Sequence, residues 1–361
     1  MLFLNWRDPW HPKSGGAELV SLRILERLAA EGWSIEWFSA MYPGALSREH
    51  RGGVLYVRDG NQATVHLRAM GRYAGRIHHD VVIDQINTVP FFTPFYAKEK
   101  AVAFIHQLAR EVWLYEFQGI IGRLGYFAEP IYLWPYRKIP IITVSQSSCE
   151  SLRQIGMRGD IRIIPEAIDE LRDPEIPEKA SPCEIVVLGR LTPSKRIEES
   201  IMAVKHLRAL GWEGVLNVVG GGDERYRCRL QNLARELGLS HHVVFHGRVT
   251  EERRRDLLRR ASVLWMTSVR EGWGLAVSEA AAHGTPAVVY DVPGLRESVN
   301  HGSTGLVVPP DSLALARATL SLFDSGWRGF AAAALADAAR FDWNATAKAF
   351  AAAVEELVHL R

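Results

Sequence analysis

Residues 271–286 read Glu-Gly-Trp-Gly-Leu-Ala-Val-Ser-Glu-Ala-Ala-Ala-His-Gly-Thr-Pro, and this stretch decides how the chain is interpreted. Two carboxylates, Glu271 and Glu279, lie on either side of a glycine-containing turn that leads into a helix of small residues. Gly272 and Gly274 let a ligand approach backbone N–H groups where the helix begins, and such helix ends favour anions. Ionised carboxylates accept hydrogen bonds from sugar hydroxyls. Either acid alone would be an ordinary helix-terminal or solvent-facing residue, but the joint pattern predicts a sugar-nucleotide site.

Length and composition indicate a globular protein of two domains. The chain has 361 residues, of which 47% are hydrophobic and 23% charged, and its net charge of +2 does not indicate a nucleic-acid partner. Its three cysteines show no Cys-x-x-Cys spacing, so we expect neither a disulfide framework nor a zinc site, and a reducing cytoplasm is the expected compartment. The short apolar start is interpreted as a first strand and not as a signal peptide, and because no apolar run reaches the roughly 20 residues that a membrane span needs, no spanning segment is expected.

Strand and helix patterns alternate along the chain, which predicts an α/β fold with parallel sheets. The predicted strands fall at 2–6, 33–39, 80–86, 101–105, 140–144, 161–164, 184–189, 215–219, 243–245, 262–266 and 286–290. A stretch rich in proline and glutamate interrupts the alternation and predicts a linker. The expected parts are a first domain over 1–168, the linker at 169–183, a second domain over 184–341 and a terminal helix over 342–361.

Two glycine-containing junctions follow predicted strands and precede helices. Arg190 and Lys195, in the segment 189–195, would lie at the carboxyl edge of a sheet, where such cations suit a diphosphate, although cations at strand ends are often only solvated. Gly15 and Gly16 could direct backbone N–H groups at an anion or form an ordinary tight turn. Their segment lacks Gly-x-Gly-x-x-Gly, which weakens a dinucleotide-dependent oxidoreductase interpretation.

Other candidates rest on position alone. His106 follows the apolar strand 101–105 and could bond a sugar hydroxyl or carry a proton, whereas most lone histidines do neither. Gly220 and Val249 follow the next strands, in segments that could approach the nucleotide or simply connect elements. The aromatic segment 113–136 predicts core packing first, and an acceptor groove or membrane-interface face second. The basic residues 253–255 and 259–260 are expected on a solvated helix face, with attraction to anionic lipid as the alternative.

These motifs occur in one order and together resemble glycosyltransferase family 4, retaining sugar transferases of the GT-B fold. The resemblance extends from the glycines at 15–16 through 104–113, 144–145, 189–195 and 268–279 to 302–306 and the Trp343 helix. It implies two Rossmann-like domains facing across a cleft, with the C-terminal helix crossing back to the N-terminal domain. It also implies transfer of a hexose from a UDP- or GDP-sugar donor to a glycan, lipid-linked or small-molecule acceptor.

The resemblance assigns roles to individual residues. Arg190 and Lys195 would bind the diphosphate, Glu271 the hydroxyls of the transferred sugar and Glu279 the ribose. His106 would contact the donor sugar, and backbone donors would come from Gly16, Gly272, Trp273, Gly274 and Leu275. Further donor contacts are expected near Gly15, Gly189, Gly220 and Val249. No cofactor or metal is expected, because the arginine and lysine replace the charge of a divalent ion.

Retention of configuration is expected, with the leaving diphosphate accepting the acceptor's proton. The acceptor would serve cell-envelope or exopolysaccharide biosynthesis or be a small metabolite, and peripheral membrane association stays open. One departure concerns 164–169, where Glu166 and Ala167 replace the family's usual Asn and Gly, so the hinge contacts are expected to differ. Alternatives are a sugar-nucleotide 2-epimerase of the same fold, a non-catalytic sugar-nucleotide-binding subunit and, more distantly, an NAD-dependent dehydrogenase.

Overall fold

A computed structural model describes residues 1–97, 100–117, 119–169, 171–181 and 183–359. Its strands are β1 Leu2–Leu4, β2 Ile35–Ser39, β3 Arg48–Arg51, β4 Val54–Arg58, β5 Val82–Gln85, β6 Ala101–Phe104, β7 Ile141–Thr143, β8 Ile161–Ile163, β9 Glu184–Leu188, β10 Val215–Val219, β11 Val243–Gly247, β12 Val263–Met266, β13 Ala287–Tyr290 and β14 Gly305–Val308. Its α-helices are α1 Gly16–Ala30, α2 Val65–Tyr73, α3 Glu111–Glu116, α4 Ile120–Tyr132, α5 Gln146–Gln154, α6 Ile197–Ala209, α7 Glu224–Glu236, α8 Glu251–Arg260, α9 Leu275–Ala281, α10 Leu295–Ser298, α11 Ser312–Asp324, α12 Trp327–Asp337 and α13 Trp343–His359.

The contacts divide the chain into two units. Unit 1 comprises Met1–Arg110, Arg123–Ala167 and Asp342–Arg361, and unit 2 comprises Glu111–Gly122 and Ile168–Phe341. This division differs from the sequence-based boundaries. Residues 111–122 and Ile168 belong to unit 2, although the sequence analysis places them in the first domain. The predicted linker also belongs to unit 2.

Unit 1 is built on an eight-stranded sheet in the order β3-β4-β2-β1-β5-β6-β7-β8. All neighbouring strands are parallel except β3 and β4, which form an antiparallel pair at one edge. The inner strands β1, β5 and β6 are buried, as expected where both faces of a sheet are covered, and β1 and β6 are apolar throughout. The last helix, α13, belongs to this unit, where Phe350 packs against Phe104 and Thr346 Oγ1 donates to Pro165 O at 3.0 Å. The C-terminal helix therefore packs on the N-terminal sheet, as the resemblance implies.

Unit 2 contains a six-stranded parallel sheet in the order β11-β10-β9-β12-β13-β14. Aliphatic side chains of these strands and of the flanking helices form one large core around the fully buried Trp265. Because parallel strands all end at the same edge, the segments after β9, β10 and β12 lie along the carboxyl edge of this sheet. That edge holds the predicted diphosphate and sugar residues.

Three strands are absent from the sequence prediction: β3, β4 and β14. β3 reads Arg-Glu-His-Arg and is largely exposed, so it lacks the apolar alternation by which strands are recognised. Gly52 and Gly53 connect it to β4 with φ of 55° and 77°, the left-handed values that a two-residue hairpin turn requires. The glycine pair was therefore the signal that could have revealed this hairpin.

Candidate functional site

The first part of the candidate site in unit 2 is the segment that follows β9. The ends of β9 and β10 approach so closely that a Cβ on Gly220 would lie 1.8 Å from the carbonyl oxygen of Gly189. Glycine at position 220 is thus required by strand packing, whatever else it contacts. Beyond Gly189, the chain turns so that Arg190 is exposed, and Arg190 lines a small cavity together with Lys195 and Ser268. The structure brings these two predicted diphosphate cations to one place.

Lys195 and Glu271 form an ion pair in this cavity region. The lysine ammonium contacts Glu271 Oε1, and the Ser268 hydroxyl donates to the same oxygen at 2.6 Å. The backbone N–H of Glu271 donates to Pro293 O at 3.0 Å, which fixes the loop that carries the acid. The side chains of Lys195 and Glu271 are 21% and 13% exposed, respectively. The predicted phosphate-binding cation and the predicted sugar-binding acid are therefore both partly accessible to a ligand.

The turn from Gly272 to Leu275 leads directly into α9. Gly274 has φ of 101°, and a Cβ there would lie 2.9 Å from Leu295 Cδ2, so a larger residue would be both strained and crowded. The indole of Trp273 is buried and donates from Nε1 to Ser278 Oγ at 3.1 Å. Trp273 can consequently serve a ligand only through its backbone, the role that the resemblance gives it.

Glu279 lies on α9, one turn after its start, and is paired across helices. Arg254 of α8 donates to Glu279 Oε1 at 3.0 Å and to Glu251 Oε2 at 2.6 Å. The prediction of a solvated face for 253–255 is wrong for Arg254, whose side chain is only 18% exposed, whereas Arg253 pairs with Asp256 at the surface. Residues 25 positions apart in sequence meet here, so no local pattern could have identified Arg254 as the partner of the predicted ribose acid.

Val249, the remaining predicted donor residue of unit 2, is half-buried and packs against the hydrophobic core. Two acids that the sequence analysis did not single out contact residues next to the candidate site. Glu116 of α3 accepts hydrogen bonds from the backbone N–H and the hydroxyl of Ser194, and Glu111 pairs with Arg270 Nε at 2.9 Å. The segment that carries α3 thus places Glu116 beside the loop of Arg190 and Lys195, and Glu111 beside the residue that precedes Glu271.

The predicted residues of unit 1 lie at the carboxyl edge of its own sheet. Gly15 precedes the first turn of α1, of which Gly16 is the first residue. The N–H of Gly15 donates to Glu18 Oε2 at 2.8 Å, the reach-back contact of a capping box. Glu18 is fully buried and also accepts from Asn87 at 2.6 Å. The glycine turn is therefore anchored to a buried carboxylate.

His106 follows β6 and is buried with both ring nitrogens engaged. Nδ1 lies 2.6 Å from Glu166 Oε1, and Nε2 lies 2.8 Å from Gln85 Nε2. The predicted alternatives for this side chain were a bond to a sugar hydroxyl or transfer of a proton. Neither ring nitrogen is open for such a contact in this structure, and the partner of Nδ1 is the glutamate by which the chain departs from the family pattern.

The aromatic segment differs most from expectation. Tyr136 is buried, as core packing predicts, but Tyr115, Phe117, Phe127 and Trp134 are exposed. Core packing was the first interpretation of this segment and is wrong for these four side chains. Among the residues that the structure describes, none of the helices combines the length and the hydropathy that a membrane-spanning helix requires.

Comparison with known proteins gives two family models that follow each other along the chain. The model described as "Glycosyltransferase Family 4" matches residues 14–172, and the model described as "Glycosyl transferases group 1" matches residues 169–340. The chain is 31% identical over 244 residues to glycogen synthase of Mycobacterium tuberculosis, a match that covers 64% of this chain and 58% of the relative. The matched part thus spans less than two thirds of that relative's length.

Solved structures resemble the chain over nearly its whole length. Sucrose-phosphate synthase from Thermosynechococcus elongatus has a TM-score of 0.80 at 21% identity, covering 100% of this chain and 99% of that one. An Anabaena protein solved in complex with UDP and glucose has a TM-score of 0.72 at 18% identity, covering 98% and 99%. At these identities the likeness concerns the fold.

Proposed function

Since this chain belongs to glycosyltransferase family 4 and has the GT-B fold, we propose that it transfers a hexose from a UDP- or GDP-sugar to an acceptor hydroxyl. The observation that carries the proposal is the convergence of Arg190, Lys195 and Glu271 at the carboxyl edge of the unit 2 sheet. Two cations suit the diphosphate, and the adjoining acid suits the hydroxyls of the sugar attached to it. The UDP and glucose bound by the Anabaena structure are consistent with such a donor.

In the proposed reaction, Arg190 and Lys195 stabilise the negative charge that develops as the diphosphate leaves. The ion pair with Glu271 fixes the position of the Lys195 ammonium. When the donor binds, the ammonium would contact both the phosphate and that acid. Glu279 would accept hydrogen bonds from the ribose, with Arg254 fixing its orientation. Because the two cations supply the charge that a divalent ion would otherwise provide, we propose that the transfer needs no metal.

We further propose retention of anomeric configuration. The glycosidic carbon would lose its bond to the diphosphate as it gains a bond to the acceptor oxygen on the same face. The acceptor's proton would pass to the departing diphosphate oxygen. The engaged ring nitrogens of His106 support a mechanism in which this residue is not the base.

A thermal-shift measurement with UDP, GDP and ADP, each with and without EDTA, tests the proposal first. A nucleotide at 100 times its Kd should add about 2.7 kcal/mol to the free energy of unfolding, independently of EDTA. No shift with any nucleotide would contradict the proposed donor site. Incubation of the responding nucleotide's glucose or mannose conjugate without acceptor then separates the alternatives: a 2-epimerase would change the sugar, whereas a non-catalytic subunit would leave it intact even with acceptors present.

The acceptor side of the proposal rests on α4 and the turn that follows it. This helix has an unusual orientation, because its polar residue Glu129 is buried and accepts from the backbone N–H groups of Ala109 and Arg110. Its large apolar residues face outward instead. Together with the next turn it exposes Leu124 at 61%, Phe127 at 68%, Ile131 at 73% and Trp134 at 62%.

The charges around this apolar face point to one kind of partner, an anionic lipid surface. Arg123 and Lys138 are exposed, Arg137 lies over the ring of Trp134, and the buried Glu129 is the only acidic residue between 119 and 138. Aromatic and aliphatic residues flanked by cations suit the headgroup boundary of a bilayer, and each cation near anionic lipid contributes about 1 kcal/mol. We propose peripheral membrane association through this face and a lipid-linked acceptor.

Vesicle flotation tests the membrane proposal. The full chain should float with vesicles containing phosphatidylglycerol and less with pure phosphatidylcholine, and Phe127→Ser with Ile131→Ser should abolish flotation. Leu67→Ser on α2, which removes a side chain of similar exposure from the same unit, should leave it intact. Equal flotation of all variants, or none by the parent chain, would overturn the proposal. A dimer of the parent that the double variant dissociates would identify a second copy of the chain as the partner.

A further inference from the structure

The buried polar side chains of unit 1 form one continuous hydrogen-bonded chain. It runs from Glu166 through His106, Gln85 and Asn5 to Glu18, and it ends at the N–H of Gly15. Each of the five side chains is at least nine-tenths buried. These hydrogen bonds therefore connect Glu166, the residue that departs from the family pattern, to the predicted glycine turn at Gly15.

Two contacts with the backbone determine which atom donates and which accepts in each of these side-chain hydrogen bonds. The N–H of Arg7 donates to Asn5 Oδ1 at 3.3 Å, so the side-chain nitrogen of Asn5 is the atom that faces Gln85 and Glu18. That nitrogen donates to Gln85 Oε1 at 2.6 Å and to Glu18 Oε1 at 3.2 Å. A peptide N–H cannot accept, so the amide of Asn5 cannot be turned round without losing this contact.

Gln85 is fixed in the same way. Its Nε2 donates to the carbonyl oxygen of Ala17 at 3.2 Å, and a carbonyl accepts only. The same nitrogen lies 2.8 Å from His106 Nε2, which must then accept. The imidazole proton is consequently on Nδ1, where Glu166 Oε1 is the acceptor at 2.6 Å.

We propose that Glu166 is a positioning residue that holds His106 in its Nδ1–H tautomer and in one ring orientation. The ring of Phe104 packs on the imidazole at 4.3 Å between centroids, and the Ser148 hydroxyl donates to the backbone oxygen of His106 at 2.8 Å. These contacts hold the ring, the backbone oxygen and both ring nitrogens of His106 at the start of the loop after β6. Asparagine, the residue that the resemblance leads us to expect at position 166, lacks one methylene and the negative charge.

The tautomer is measured directly by long-range ¹H–¹⁵N correlation of the histidine rings in the full chain, with His106→Gln identifying the signal. We expect the Nδ1–H pattern for His106 in the parent and in Glu166→Gln, whose amide oxygen also accepts. In Glu166→Leu the Nδ1 proton has no acceptor, so the pattern should shift toward Nε2–H or a mixture. An Nε2–H pattern in the parent, or an unchanged Nδ1–H pattern in Glu166→Leu, would overturn the inference.

The kinetic consequence rests on the proposed transferase function, whereas the tautomer does not. Glu166→Leu should lower kcat at least tenfold with less than a twofold change in the donor KM, and Glu166→Gln should restore most of kcat. Glu356→Leu, which removes an exposed acid from the same unit, is the control and should leave both constants unchanged. A normal kcat in Glu166→Leu with an altered tautomer would contradict the positioning role, and a shifted tautomer in a chain without any transfer activity would contradict only the proposed function.

Discussion

Two pairs of a basic side chain and a glutamate follow strands of the two sheets, and they differ in what surrounds them. Lys195 and Glu271 in unit 2 form a half-open pair beside the exposed Arg190. His106 and Glu166 in unit 1 are enclosed, and each ring nitrogen of the histidine has a protein partner. The open pair can still form hydrogen bonds with a ligand, whereas both ring nitrogens of the enclosed histidine already contact protein side chains. The comparison separates residues that would bind a donor from residues that would hold a loop in place.

The largest expected effect comes from removing the cation of the open pair. Lys195→Ala should lower kcat by about 100- to 1,000-fold, because a charge that stabilises the leaving group acts mainly in the transition state. Lys205→Ala on α6 removes an exposed lysine of the same unit and should leave kcat unchanged. Initial rates of sugar transfer measure both. Similar rates for the two variants would remove the distinction between an open catalytic pair and an ordinary surface lysine.

A smaller effect is expected at Glu279, the predicted ribose-binding acid, and it concerns nucleotide binding. Glu279→Gln should weaken binding of the nucleoside diphosphate about tenfold, equivalent to about 1.4 kcal/mol, because the amide accepts more weakly from the ribose hydroxyls. Isothermal titration calorimetry measures this change, with the exposed Glu236→Gln on α7 as the matched control. An unchanged Kd for Glu279→Gln would mean that this carboxylate serves contacts within the protein, such as the one with Arg254, and no ligand.

Substitution of Glu166 in the enclosed pair should lower the free energy of unfolding. Glu166→Leu leaves the Nδ1–H of a buried histidine without an acceptor, which costs about 1–3 kcal/mol of the free energy of unfolding. Glu166→Gln should cost less than Glu166→Leu, since it keeps an acceptor. Urea unfolding of both variants measures the difference. If the leucine variant were as stable as the parent, the enclosure of this pair would not be a structural requirement.

Lys179, a half-buried lysine of unit 2 outside the candidate site, provides a pH-dependent contrast to the open pair. It donates to His283 O at 2.9 Å and to Thr285 Oγ1 at 2.8 Å, and burial lowers its pKa to about 7. Between about pH 7 and its ordinary pKa near 10.5, the unfolded chain binds the proton that the folded chain has lost. The stability contributed by this site should therefore rise with pH across that window. Lys179→Met should remove this rise, as measured by unfolding at pH 7 and pH 9.5, without altering kcat.

The sequence indicated which candidate residues of unit 2 meet at one sheet edge, but it did not indicate the partners of His106 and Glu279, and the reason is physical. Arg190, Lys195, Glu271 and Glu279 belong to two short segments that follow strands, and parallel strands deliver such segments to one edge. The partners of His106 and Glu279 come instead from distant positions, Glu166 and Arg254, which only the folded chain brings close. The departure at 166 was visible in the sequence, but its hydrogen-bond partner was not.

Helix α4 shows a second limit of sequence-based prediction. Its aromatic and aliphatic residues have helical spacing, and such spacing shows that one face is apolar without showing which way the face points. Glu129 decides the orientation, because its carboxylate caps the backbone N–H groups of Ala109 and Arg110 and draws the polar side inward. That contact depends on the fold around residue 109, which the helix pattern does not contain.

The polar hairpin at the edge of the unit 1 sheet also bears on how the protein behaves at high concentration. An outermost strand has unpaired N–H and C=O groups on its free side and can act as a template for a strand of another molecule. β3 presents Arg48, Glu49, His50 and Arg51 along this border, and charged side chains must lose water before a neighbouring strand can pair with them. The feature that hid β3 from sequence patterns is thus the one that discourages sheets of separate molecules from joining into aggregates.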